Sequence, residues 1–129
     1  MKKSIILMAA LSLTSSVMAS NCNGQPGEYF INSSGEKGGF VAHTALVEPS
    51  VYLGKHVQIC DNAEVRDFAQ VTGNAVISGD AQVYDTAKVF GNAKVFGFAQ
   101  VYNRANIWGH AQAFGNAEIF GFAGLKDNV

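Results

Sequence analysis

Positive charge is scarce in this sequence. Nine Lys and Arg stand against ten Asp and Glu. Loss of Lys2 and Lys3 with a leader would leave seven against ten, a formal charge of −3. Nucleic acids are recognised through basic patches, so they are not expected partners. Long apolar runs are equally scarce, and beyond Ala19 nothing is apolar enough for long enough to cross a bilayer. Two cysteines are too few for a structural zinc site. No catalytic or cofactor-binding motif stands out, so no cofactor is expected, and the length suits one domain.

What the start of the chain does have is a leader pattern. Lys2 and Lys3 precede an apolar run from Ile5 to Leu13, and Val17-Met18-Ala19 ends on a small residue. This reads as a secretory signal peptide over residues 1–19, cleaved after Ala19, and places the mature chain outside the cell or in the periplasm. The alternative, a lipoprotein acylated at Cys22, is disfavoured because Asn21 stands where a small residue is generally needed. In an oxidising compartment the two remaining cysteines, Cys22 and Cys60, read most economically as a disulfide worth about 3 kcal/mol. Two independent thiols are the other reading.

Residues 20–40 are rich in Gly and Asn, with Glu28-Tyr29-Phe30-Ile31 as the one strand-like run. They read as an irregular cap over a repeat, with the Gly38-Gly39 pair turning the chain into it. From Val41 to Leu125 the chain then repeats every six residues without insertion. One ladder is aliphatic (Val41, Val47, Leu53, Ile59 and onward to Leu125); a second, two residues before each later rung, is Ala or Val (Ala45, Val51, Val57, Ala63 and onward to Ala123). A fixed period of this kind marks a solenoid over residues 41–129.

Within a hexad such as Ala87-Lys88-Val89-Phe90-Gly91-Asn92, side chains point in, out, in, out, and two turn residues follow. Gly73, Gly79, Gly91, Gly97, Gly109, Gly115 and Gly121 share the first turn position with Asp61, Asp67, Asp85 and Asn103, so this corner should have positive φ. The Gly-Asn pairs also fit two-residue hairpins. That meander would leave an unpartnered apolar face and two open edges; a coil whose turns stack about 4.8 Å apart buries both ladders in one core. A helix is excluded, because a six-residue period has no constant face on it.

The pattern of an aliphatic residue, variable positions and a small residue in fifth place resembles the hexapeptide repeat of left-handed parallel β-helices. Val89-Phe-Gly-Asn-Ala-Lys-Val-Phe-Gly and Phe40-Val-Ala-His-Thr-Ala-Leu-Val-Glu-Pro-Ser-Val resemble in particular its YdcK-type β-solenoid branch. The resemblance implies an all-β, single-stranded left-handed coil of about five triangular turns, each of three hexapeptides, and it is the source of the handedness. Rungs eighteen residues apart should then stack: Val65, Val83, Val101 and Ile119; Val71, Val89 and Ile107; Ile77, Val95 and Ala113. Ala113 should be a thin spot in the core.

Many relatives in that superfamily are trimeric acyltransferases with a histidine general base, and His110 is the candidate if this chain shares that chemistry. The protruding loop and terminal helix that usually complete such sites are missing from the pattern, so a solvated corner is the plainer role for His110. Zinc-dependent carbonic anhydrases also use this fold and need three converging histidines. His56 and His110 share a corner phase but lie three turns apart, about 14 Å, so no metal site is expected with His43.

The stronger surface signal is aromatic. Tyr84, Phe90, Phe96, Tyr102, Trp108, Phe114 and Phe120 all follow an aliphatic rung, and eighteen residues per turn divides them among three faces. They fit ladder stacking, a protein interface or, as a further alternative, a carbohydrate-binding surface. Phe68, Phe98 and Phe122 read as structural corner fillers. Ice binding would call for flat arrays of small residues that this repeat does not offer. The leading expectation is a secreted or periplasmic structural or protein-interaction module without catalysis, able to form homo-oligomers through aromatic faces and solenoid ends, with a hexapeptide-type acyltransferase as the alternative.

Overall fold

The computed structural model describes residues 21–127; the leader read over residues 1–19 lies outside them. A short 3-10 turn, Cys22–Gly24, precedes β1 (Gly27–Ile31) and β2 (Lys37–Ala42). Fourteen short strands follow, one per hexad: β3 (Leu46–Val47), β4 (Tyr52–Leu53), β5 (Gln58–Ile59), β6 (Glu64–Val65), β7 (Gln70–Val71), β8 (Val76–Ile77), β9 (Gln82–Val83), β10 (Lys88–Val89), β11 (Lys94–Val95), β12 (Gln100–Val101), β13 (Asn106–Trp108), β14 (Gln112–Ala113), β15 (Glu118–Ile119) and β16 (Gly124–Lys126). They form three sheets, ordered β1-β2-β5-β8-β11-β14, β3-β6-β9-β12-β15 and β4-β7-β10-β13-β16. From β2 onward successive members are three strands apart in the chain, so the backbone coils into a β-solenoid of about five turns.

Every pair within the repeat is parallel and in register at eighteen residues, as in Val65↔Val83, Val83↔Val101 and Val89↔Ile107. Between turns the lower N–H donates to the upper carbonyl, Lys88 to Ala105 at 3.0 Å and Phe90 to Ile107 at 2.9 Å. The meander is thereby replaced by stacking that satisfies every strand inside a sheet from both sides. Both ladders are buried from Val41 as far as Ala113: Val65, Ile77, Val83, Ala87, Ala93 and Ile107 are 0% exposed. The expected rows all stack, and Ala113 lies on Val95 at 2% exposure.

The corners follow from sterics. Asp61, Asp67, Asp85 and Asn103 have φ of 58–60°, and the seven expected glycines have φ of 64–70°. Residues with a Cβ rarely adopt this region, Asp and Asn excepted. A Cβ at Gly91 would also lie 2.8 Å from the Gly109 nitrogen. Asp and Asn turn that proximity to use: Asp85 Oδ2 accepts the Asn103 N–H at 2.9 Å, and Asn103 Oδ1 accepts the Gly121 N–H at 3.1 Å. Gly91→Ala should therefore cost about 1–2 kcal/mol. Gly91→Asn, which can accept the Gly109 N–H, should cost about 1 kcal/mol less; urea denaturation midpoints of the two variants check the order.

The N-terminal segment departs from the expected irregular cap. β1 and β2 form an antiparallel hairpin, Tyr29↔Phe40, so the first sheet is extended by one strand beyond the coil. Gly38 and Gly39 do not turn the chain; they lie inside β2, buried, with no positive φ. A Cβ at Gly39 would overlap the Val57 carbonyl, and one at Gly38 would lie 2.7 Å from the Leu53 carbonyl oxygen. Close backbone approach, not bending, requires glycine there.

Cap and coil are then fastened side by side. Cys22 and Cys60 form a disulfide with a Cα separation of 5.5 Å. Gln25 brackets Asp61, donating from Nε2 to Oδ1 at 2.6 Å and accepting the Asp61 N–H at 3.0 Å. Asn32, 3% exposed, acts as a substitute strand residue: it accepts the Leu53 N–H and donates to the Leu53 carbonyl, both at 2.9 Å. The N-terminal end is thus covered over the first and third sheets, while β3 ends the second with one neighbour.

Candidate interaction surface

The position after each rung points outward, and eighteen-residue stacking sets equivalent side chains above one another. Tyr84 and Tyr102 stack at 5.0 Å between centroids and 4° between planes, and Phe120 continues above Tyr102 at 5.4 Å and 12°. On the third sheet Phe90 and Trp108 stack at 6.0 Å, and on the first Phe96 and Phe114 at 5.3 Å. All seven predicted residues fall into the three expected columns.

Offset stacked rings of this kind contribute about 0.5–1.5 kcal/mol per pair beyond their burial. Their flat sides face along the coil, so Tyr102 has a ring on each side. What the columns offer outward is ring edge, a geometry suited to packing against another apolar surface more than to stacking on sugar rings. Tyr84, Phe90, Phe96, Tyr102 and Trp108 are half-buried, whereas the terminal rings Phe114 and Phe120 are 56% and 53% exposed.

The tyrosine column is also hydrogen-bonded. Tyr84 donates to Gln100 Oε1 at 3.2 Å and Tyr102 to Glu118 Oε1 at 3.1 Å, each partner one residue before a rung on the next turn. Arg66 lies 4.6 Å over the Tyr84 ring. Desolvation raises the Tyr84 hydroxyl above its ordinary pKa against an opposing pull from Arg66. Tyr102 is raised by desolvation and then by its bond to Glu118.

Corner aromatics behave differently from the expectation that they fill space. Phe68, Phe98 and Phe122 are 67%, 62% and 80% exposed. Each stands on the second corner residue, which points away from the core, and Arg104 lies 5.5 Å over the Phe122 ring. Asp85, Thr86, Asn103, Arg104, Gly121 and Phe122 surround an open depression of about 320 Å³ on this corner.

The histidines do not converge. His43 pairs with Glu28 at 3.4 Å, and His56 and His110 are exposed. The His110 backbone N–H reaches Asp127 Oδ1 at 3.4 Å, but among the described residues its ring has no ion-pair partner. Among those residues no group of three His, Cys, Asp or Glu side chains is placed to hold a metal ion, and no helix is long and apolar enough to cross a membrane. In the side-chain ladder Glu48–Asp67–Asp85–Asn103 the sequence signal is Asp at the corner phase, whose oxygens accept the next turn's N–H at Asp85 and Asn103. Glu48, one residue before that phase, accepts the Asp67 N–H and carries no such signal.

Fold and surface together define a β-solenoid with aromatic columns on all three sheets. No family model, curated protein or solved structure matches this chain.

Proposed function

We propose that the protein is a secreted or periplasmic structural or protein-interaction module without catalysis, belonging with the hexapeptide-repeat left-handed β-helices and their YdcK-type branch. The observation that supports this most is the set of aromatic columns, whose ring edges crop out on every sheet and end in the exposed Phe114 and Phe120. A stiff, fully packed coil holds these edges at fixed spacing and so presents little conformational entropy to be lost on association. Replacing Phe96 and Trp108 together by Ser is expected to weaken association with a partner or a second copy, measured by sedimentation at high protein concentration. A strictly monomeric protein on which these substitutions have no effect would count against the reading, and transfer of acetyl from acetyl-CoA that is lost in His110→Ala would replace it with the acyltransferase.

A further inference from the structure

The two ends of the coil are unlike. At the N-terminal end β1 covers β2 and Asn32 covers β4. At the other, β14, β15 and β16 each have one neighbour, so among the described residues three strand edges end the coil together. The same turn carries exposed Phe114, Phe120 and Phe122 and the partly buried core residues Ala117, Ile119 and Leu125. Open edges joined to an apolar rim are a template for strand pairing.

We infer that this end binds the same end of a second copy, so that two coils meet tail to tail about a two-fold axis. The inference names a partner for the interaction module proposed above and rests on that reading. Head-to-tail stacking is obstructed by the hairpin and Asn32. A two-fold instead sets each edge antiparallel to an edge of the same kind, which offers its own outward N–H and C=O groups, and closes the assembly at two.

Charge selects which edges meet. With rungs kept opposite rungs, the axis can pass through any one sheet, pairing that strand with its own copy and exchanging the other two. Through the second sheet, Glu118 faces Phe120 of the second copy and Lys126 faces Gln112 of the second copy. Through the third, Glu118 faces Phe114 of the second copy and Lys126 faces Gly124 of the second copy. Through the first sheet, β14 pairs with itself, and Glu118 on β15 stands opposite Lys126 of the second copy on β16. The two-fold supplies this pair twice. The Lys126 side chain is 61% exposed, and among the described residues its ion-pair partner is Asp127 at 3.9 Å, a long contact that leaves it able to reach across. The same register places Phe120 over Gly124 of the second copy, where no side chain blocks it.

The test is charge reversal followed by molar mass in solution across a concentration series. The protein should dimerise, and Glu118→Lys or Lys126→Glu alone should weaken the dimer about tenfold or more, because each reversal acts at two symmetric sites. The double exchange E118K/K126E should restore dimerisation to near that of the parent. A dimer that ignores the reversals overturns the tail-to-tail arrangement. If that dimer is instead weakened by Phe96→Ser with Trp108→Ser, this inference fails while the interaction module stands. A monomer at every concentration that also binds no other protein defeats both.

Discussion

Replacing Ile77 by alanine is expected to cost about 2–5 kcal/mol, the range for truncating a fully enclosed aliphatic side chain. Ile77 is 0% exposed and sits between Ile59 below and Val95 above, with turns on both sides. No end is near enough to relax into the vacancy. Its neighbour Val76 points the other way and is half-buried, so Val76→Ala should cost well under half as much. Urea denaturation followed by far-ultraviolet circular dichroism measures both. Equal losses would mean that the in-out alternation of this hexad is wrong.

The second large effect lies at the cap. Removing the disulfide by Cys22→Ser with Cys60→Ser should cost about 3–4 kcal/mol, given a sequence separation of 38 residues. The damage should be local, because a solenoid's stability is a sum over neighbouring turns. Residues 21–31 would then depend on Gln25, the Cys22 N–H bond to Gln58 Oε1 at 2.9 Å, and the hairpin. Amide exchange should accelerate there and at Phe40, and remain slow at Val89 and Val101. Uniform acceleration along the whole coil would show instead that cap and coil unfold as one unit.

How far the sequence reveals this fold can be judged residue by residue. The corners were legible because positive φ restricts residue type, so Gly, Asp and Asn recurring at one phase declare a backbone conformation. The stacking rows were legible because a six-residue period of two small apolar ladders has few ways to bury itself. The aromatic columns followed from the same arithmetic. Gly38 and Gly39 were misread because a glycine that permits a turn and one that permits close approach look alike until Val57 and Leu53 are placed beside them. Asn32 and Gln25 gave no signal, since their partners, Leu53 and Asp61, are distant in sequence and matter through single hydrogen bonds. Phe68, Phe98 and Phe122 were misplaced because burial at a corner depends on what surrounds it, and here nothing encloses the second corner position.

Coiling with an eighteen-residue turn is the claim from which the core, the columns and the open end all follow. Amide-to-amide nuclear Overhauser contacts test it most directly. The coil predicts contacts between strands eighteen residues apart, from Lys88-Val89 to Gln70-Val71 on one side and Asn106-Ile107 on the other. Contacts pairing β10 antiparallel with β9 or β11, its neighbours in the chain, would contradict it.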